Sequence, residues 1–342
     1  MKVTYRNLFI LPVVLIALNA FGDEFTKNYS AKYEVNPGAL LYIDNKFGDV
    51  KCINWEEKAV SIEVVITTER SSETKAQEFF SKINISLTGS ADKVSGITTI
   101  GSLRGNNEFS IDYTIKMPRN MKADISNKYG GVFMDDLEGS SNISVKYGHL
   151  HAGKLLSENN VIDIDYTDAS EITYVNKAEI SLGYSELKVK ESDFLDIHSR
   201  YNEVDLGKIA KLKINSGYDE YNIDKAHVIN AESDFSEIDI KDLSESLILV
   251  MKYGGLEIEE ISAGFKEINV NTSYADIELN FDPGASFDIL VNESYSDVNI
   301  SSSYPVKRTE LSYTSSRYES KSGKSPAGKV TVDIKHGELN ID

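Results

Sequence analysis

Three sets of side chains in this sequence have types and spacings that could support chemistry. The longest is a row of acids recurring about every eighteen residues: Asp168, Glu186, Glu203, Glu220 and Glu237, with Asp49 before it and Asp276, Asp297 and Glu338 after it. Carboxylate oxygens suit hard divalent cations. The row lacks the Gly-Gly-x-Gly-x-Asp repeat and the EF-hand loop of calcium-binding chains, which favours a solvated, aggregation-resistant face over a cation site. Each acid stands two residues after an aromatic, and these aromatics are the second set: Phe47, Tyr129, Tyr147, Tyr166, Tyr184, Tyr201, Tyr218, Phe235, Tyr253, Tyr274 and Tyr295, with His336 in the same place near the end. Such a row could bind the faces of sugars if exposed, or form a core or corner ladder that fixes register. The phase of the apolar residues before each ring points it inward, which favours the ladder. The third set is His149 and His151, on one strand face at i, i+2. A pair without a nameable third ligand reads as surface histidines.

No catalytic residue, metal ligand or cofactor site emerges beyond these. The single cysteine, Cys52, has no histidine near it and falls on an apolar position of the repeat, so it reads as a core residue. The acids are spread too evenly to single out the carboxylate pair that polysaccharide-cleaving enzymes use. The chain contains no Ser-His-Asp arrangement or phosphate-cradling loop either. A non-enzymatic reading follows, with a polysaccharide-active enzyme and an envelope signalling partner as the alternatives.

The element that must position these rows is a repeat. Aligned on the aromatic, the site four residues earlier is always apolar (Ile125, Ile143, Ile162, Ile180, Ile197 and Ile214 among them). So is the site three residues later (Val132, Leu150, Leu187, Val204). Five residues later the site is apolar in all copies but one, the exception being Glu171. Apolar-polar-apolar alternation marks a half-buried strand. Each unit therefore reads as a strand ending at the aromatic, a corner, and a second short strand. The corner carries Gly48, Gly130, Gly148, Ser185, Asn202 or Asp219 directly after the ring, all residues that tolerate turns. One apolar face cannot be buried alone, so neighbouring units must stack. The expected fold is all-β: a parallel β-helix or β-solenoid of about twelve coils of ~18 residues, right-handed by the general chirality of parallel crossovers.

The copies at Phe47 and Tyr129 are separated by an interval that breaks the repeat. It holds strand text at Ala59 to Ile66, Ile83 to Leu87 and Phe109 to Met117, a helix over Ser72 to Ser81 capped by Ser71 or Ser72, and a Gly/Asn/Ser link around Gly101 to Asn107. Residues 23–120 are expected to form an N-terminal cap and residues 121–342 the repeats, since an open solenoid end exposes core and unpaired backbone. Tyr318 reads as a degenerate copy, Arg317 to Lys329 as a loop, and Val330 to Ile341 as the last coil.

Residues 1–22 read as a signal peptide. Lys2 and Arg6 precede the apolar run Leu8 to Ala20, and Ala20-Phe21-Gly22 supplies small residues for cleavage. The run is too short for a membrane span, and no later segment is apolar enough for one. The net charge of −18 argues against nucleic acid and anionic lipid as partners, and fits cations or a basic partner better.

The stretch Gly38-Ala39-Leu40-Leu41-Tyr42-Ile43-Asp44-Asn45-Lys46-Phe47-Gly48-Asp49-Val50, with Trp55, Tyr113-Thr114-Ile115-Lys116-Met117-Pro118 and Asn127-Lys128-Tyr129-Gly130-Gly131-Val132, resembles the bacterial "putative adhesin" family, related to the auto-transporter adhesin head domains. The resemblance implies an exported single-stranded β-helix in the periplasm or at the cell surface. Its expected partner is a glycan or another component of the cell envelope.

Overall fold

The computed structural model describes residues 24–103, 108–321 and 327–342. The expected signal peptide and residues 104–107 of the Gly/Asn/Ser link lie outside the described residues. Most of the described chain is β-strand, with one helix at Glu73–Phe80. It divides into two compact units, one ending at Ser157 and the other beginning at Glu158.

In the N-terminal unit the Phe47 turn lies directly against the Tyr129 turn despite the long interval between them. Leu40–Lys46 runs parallel to Lys122–Lys128 with Ile43 opposite Ile125. Val50 and Cys52 then stand opposite Val132 and Met134. The Tyr147 turn follows in the same register, with Ile143 opposite Ile125 and Leu150 opposite Val132. The inserted residues occupy the other side of the Phe47 turn, where Leu40–Asp44 pairs with Lys93–Ile97 and Val50–Asn54 with Tyr113–Met117. Antiparallel pairing of Ala59–Glu69 with both Phe109–Met117 and Glu24–Glu34 completes this end. The helix begins where its cap residue demands: the Ser72 hydroxyl accepts from the Lys75 N–H, and Ala76, Phe79 and Phe80 form its buried side.

In the C-terminal unit the Tyr166 to Tyr274 turns stack in chain order, with Ile162 opposite Ile180, Ile180 opposite Ile197, and Ile197 opposite Ile214. These isoleucines are at most 2% exposed. Burying each contributes roughly 1.5–3 kcal/mol relative to leaving it in water. The chain's final turn is not the outermost. Gly328–Lys335 and Glu338–Ile341 slot between the Tyr274 and Tyr295 turns, so that Val332 lies opposite Val270 on one side and Val291 on the other. Tyr318 is not a degenerate turn. It sits on Ser315–Lys321, a strand antiparallel to Phe287–Ser294 with Tyr318 facing Val291, and this strand is hairpinned to Val306–Ser312. The start of the expected 317–329 loop is therefore strand. Its alternating Ser/Arg/Tyr/Glu residues can pair through backbone alone and need no apolar column to hold them.

The corner has one conformation throughout. Every aligned aromatic has a positive φ, between 51° at Tyr184 and 64° at Phe47, and His336 shares it at 54°. A left-handed conformation in a residue with a side chain costs on the order of 1–3 kcal/mol. Its effect is to reset the strand alternation. Residues four and two before the ring point inward, the ring that should follow them inward is turned outward instead, and the residue after it points inward. This explains the change of phase in the repeat and corrects the inward placement of the rings. The residues two before the ring (Ser199, Ser216, Ser233, Thr272) are buried in the rings' stead.

Among the described residues one further non-glycine residue, Ala169, has positive φ, at 48°. It is an extra residue: Ser170 lies opposite Leu187 and Ile172 opposite Val189. Two residues, Asp168 and Ala169, therefore oppose Glu186, as in a β-bulge. Ile172 takes the inward site assigned to Glu171, and the buried Ser170 takes the one assigned to Ala169, so no charged side chain falls in the column.

Candidate functional site

The most regular surface feature is a ladder of stacked rings. In the C-terminal unit Tyr166, Tyr184, Tyr201, Tyr218, Phe235, Tyr253, Tyr274, His336 and Tyr295 follow one another with centroids 4.7–5.0 Å apart and interplanar angles of 1–13°. In the N-terminal unit Phe47, Tyr129 and Tyr147 stack in the same way. Phe109 packs on Phe47, and Phe79 of the helix packs on Phe109. The tyrosines are about half exposed, from 44% at Tyr253 to 63% at Tyr295. Face-on sugar stacking is closed to the interior rungs, because each ring face is covered by its neighbour. The ladder instead offers ring edges and a row of phenol hydroxyls, which both donate and accept. Stacking contributes about 0.5–1.5 kcal/mol per pair, which offsets much of the backbone strain at each corner.

Beneath the rings runs a buried polar column. The backbone N–H of Thr167 donates to Ser185 Oγ at 3.2 Å, that of Ser185 to Asn202 Oδ1 at 2.9 Å, that of Asn202 to Asp219 Oδ1 at 2.8 Å, and that of Asp219 to Ser236 Oγ at 3.1 Å. Asp219, 5% exposed, also accepts from Asn202 Nδ2 at 2.8 Å, the Gly217 N–H at 2.9 Å and the Ser199 hydroxyl at 2.8 Å. Ser199 in turn lies 2.6 Å from the hydroxyl of Tyr221, whose burial drives its pKa far above the usual phenol range. These residues read in sequence only as turn formers. Their inward parity, one residue past each ring, was the signal for a buried column.

The acidic row lies outside. Asp168, Glu186, Glu203, Glu220 and Glu237 are all exposed, and Glu186, Glu203 and Glu220 stand directly opposite one another. The bulge at Ala169 sets Asp168 slightly out of step. The row is interrupted at Gly255, whose missing side chain leaves room for the Glu237 carboxylate. Past that gap Glu237, Asp239, Glu257, Asp276, Glu278 and Glu338 line an open depression of about 190 Å³. Desolvation, followed by like-charge repulsion, raises the carboxyl pKa of Glu237, Asp239 and Glu257. Among the described residues no three His, Cys, Asp or Glu converge to hold a metal ion. The carboxylates repeat along the surface with the turns rather than pointing at one centre.

His149 and His151 gather around Phe133, with ring centroids 5.1 and 5.6 Å from it, and Lys51 Nζ lies 5.4 Å from the Phe133 centroid. This cluster accounts for an aromatic at Phe133, where the other turns carry a polar residue. Cys52 is buried, and burial pushes its thiol up to about 12, well outside the nucleophilic range.

Trp55 enters the sequence reading only as part of the family resemblance, yet it borders the one groove among these features that is built from converging loops. The groove, about 380 Å³, lies between residues 35–37, 54–58 and 118–120, with Glu138 at its side. A lone tryptophan flanked by proline-bearing connections was the available signal.

Comparison with known proteins gives structural likeness only. No family model and no curated protein matches the chain. Among solved structures the chain is similar to a "putative cell adhesion protein" from Clostridium sporogenes, 11% identical with a TM-score of 0.20, over 92% of this chain and 98% of that one. It is similar to a "putative adhesin" from Parabacteroides merdae, 11% identical with a TM-score of 0.40, over 73% of this chain and 95% of that one. A "putative lipid binding protein" from Parabacteroides distasonis is 8% identical with a TM-score of 0.38, over 92% of this chain and 96% of that one.

Proposed function

We propose that this chain is an exported, non-enzymatic binding protein: residues 1–22 a signal peptide, 23–120 a cap, and 121–342 a right-handed β-solenoid that displays its side to an elongated glycan or other envelope polymer. The observation that carries this reading is the exposed ladder, in which ring edges recur every 4.7–5.0 Å along the C-terminal unit. A row of hydroxyls with a regular repeat suits a polymer that can be held by many weak, equivalent contacts, where affinity grows with the number of rungs engaged. The acidic row alongside would discourage anionic polymers and draw a diffuse layer of cations.

The test is capture of the mature protein on an array of neutral, acidic and basic glycans, with and without millimolar calcium. Binding that strengthens with glycan length and falls when Tyr184, Tyr201 and Tyr218 are replaced together by Ser supports the proposal. Binding unaffected by the triple replacement, or absent across the array, overturns it.

A further inference from the structure

We infer that the groove beside Trp55 in the N-terminal unit is a second, separate site that takes a neutral mono- or disaccharide. The argument begins with how firmly it is built. The Trp55 N–H donates to the Met117 carbonyl at 3.1 Å and the indole Nε1–H to the Ala59 carbonyl at 2.8 Å, so both backbone and ring are fixed. Lys32 lies over the ring at 5.0 Å from its centroid and pairs with Glu57, which clamps the indole further. The neighbouring loops are pinned as tightly. The Val35 N–H reaches the Lys58 carbonyl at 3.0 Å, the Gly38 N–H the Asn120 carbonyl at 3.1 Å, and the Glu138 N–H the Arg119 carbonyl at 2.7 Å. Pro37 and Pro118 stiffen two of the walls. A preformed concavity of this size, on loops held by a rigid sheet, is where small ligands bind.

The lining then selects the ligand. It combines one aromatic ring with polar groups of both signs: Arg119 and Lys58 against Glu56, Glu57 and Glu138, with Asn120 between. Arg119 is itself oriented by Asp136 at 3.4 Å and Glu138 at 4.0 Å. Near-balanced charge gives no strong attraction to an anion or a polycation, and so polar a lining does not suit a lipid tail. A sugar matches both parts. Each hydroxyl donates and accepts, so it can meet guanidinium, amide and carboxylate in turn, while the sugar's C–H groups pack on the part of the indole that lines the groove.

Trp55 is the chain's single tryptophan, so its fluorescence reports this groove alone. The experiment titrates the mature protein with glucose, galactose, mannose, N-acetylglucosamine and their β-linked disaccharides up to about 50 mM, a range suited to millimolar binding. A saturable change in emission with at least one sugar is expected. Arg119→Ala or Asn120→Ala should weaken that response at least tenfold with the melting temperature kept, while replacing Tyr184, Tyr201 and Tyr218 leaves it unchanged. No saturable change with any of these sugars, or a response indifferent to both groove variants, overturns the inference. Polymer capture by the ladder is read separately, so either site can fail while the other stands.

Discussion

The same corner is held in two ways in the two units. In the N-terminal unit the residue after the ring is glycine, at Gly48, Gly130 and Gly148. A Cβ at Gly130 would run into the Gly48 carbonyl, and one at Gly148 into that of Gly130, so the backbones approach too closely for any side chain. The polar atoms there come from two residues before the ring. Asn127 Nδ2 donates to the Gly48 carbonyl at 2.9 Å and to the Gly131 carbonyl at 3.0 Å, and Asn45 Nδ2 to the Ile111 carbonyl at 2.9 Å. In the C-terminal unit four successive corners take them from the residue after the ring. Ser185, Asn202, Asp219 and Ser236 accept from the amide one turn back, and Ser185, Asn202 and Ser236 also donate to the carbonyls of Gly183, Leu182 and Asp234, while Gly254 keeps the glycine form. What the repeat preserves is the left-handed ring and the inward columns. The means of satisfying the buried backbone is free to vary, provided that something satisfies it.

Breaking what both corners share should cost most. Ile214→Asp puts a carboxylate into a column whose residues are at most a few per cent exposed, and should cost more than 4 kcal/mol or prevent folding altogether, as read by circular dichroism on melting. Next come changes specific to each corner. Asp219→Ala strands the amides of Asn202 and Gly217 and should cost about 3 kcal/mol, with Asp219→Asn losing less. Gly130→Ala should cost at least as much by forcing two backbones apart, and it would break the comparison if it proved neutral. Tyr201→Gly loses two ring stacks but relieves the strain of a 61° φ, so the net loss in denaturant melts should stay below about 1.5 kcal/mol.

The smallest effect is on pH. Glu237 and Asp239 have raised pKa values in the fold, so the folded state holds their protons more tightly than the unfolded chain does. Stability from this source is greatest at low pH and is lost as pH rises through the folded values. Acidification into the carboxylate range, or added salt at neutrality, should therefore raise this contribution to the melting temperature by about a degree or two, and Glu237→Gln should blunt the acid effect.

The columns were legible in the sequence because a buried strand must repeat its apolar sites, and Ile162, Ile180, Ile197 and Ile214 do so without exception. The helix was legible from its cap and its Ala76, Phe79 and Phe80 side. The exposure of the rings was not, since alternation alone assigns them inward and only a left-handed residue at the ring itself reverses that. The bulge at Ala169 was hidden for a similar reason: one inserted residue shifts the frame, and Glu171 then resembles a flaw in the core. The place of the final turn was beyond any local pattern. Val332 carries the same signal whether it ends the stack or lies within it.

That last feature bears on how the protein is made. Residues 328–341 lie between two turns that precede them in the chain, so they are synthesised after both of their neighbours. The Tyr295 turn and its hairpin thus lack this parallel neighbour until residues 328–341 have been made. Folding of this region therefore waits on residues 328–341, and a chain interrupted before them would carry a gap inside its β-sheet rather than a frayed end.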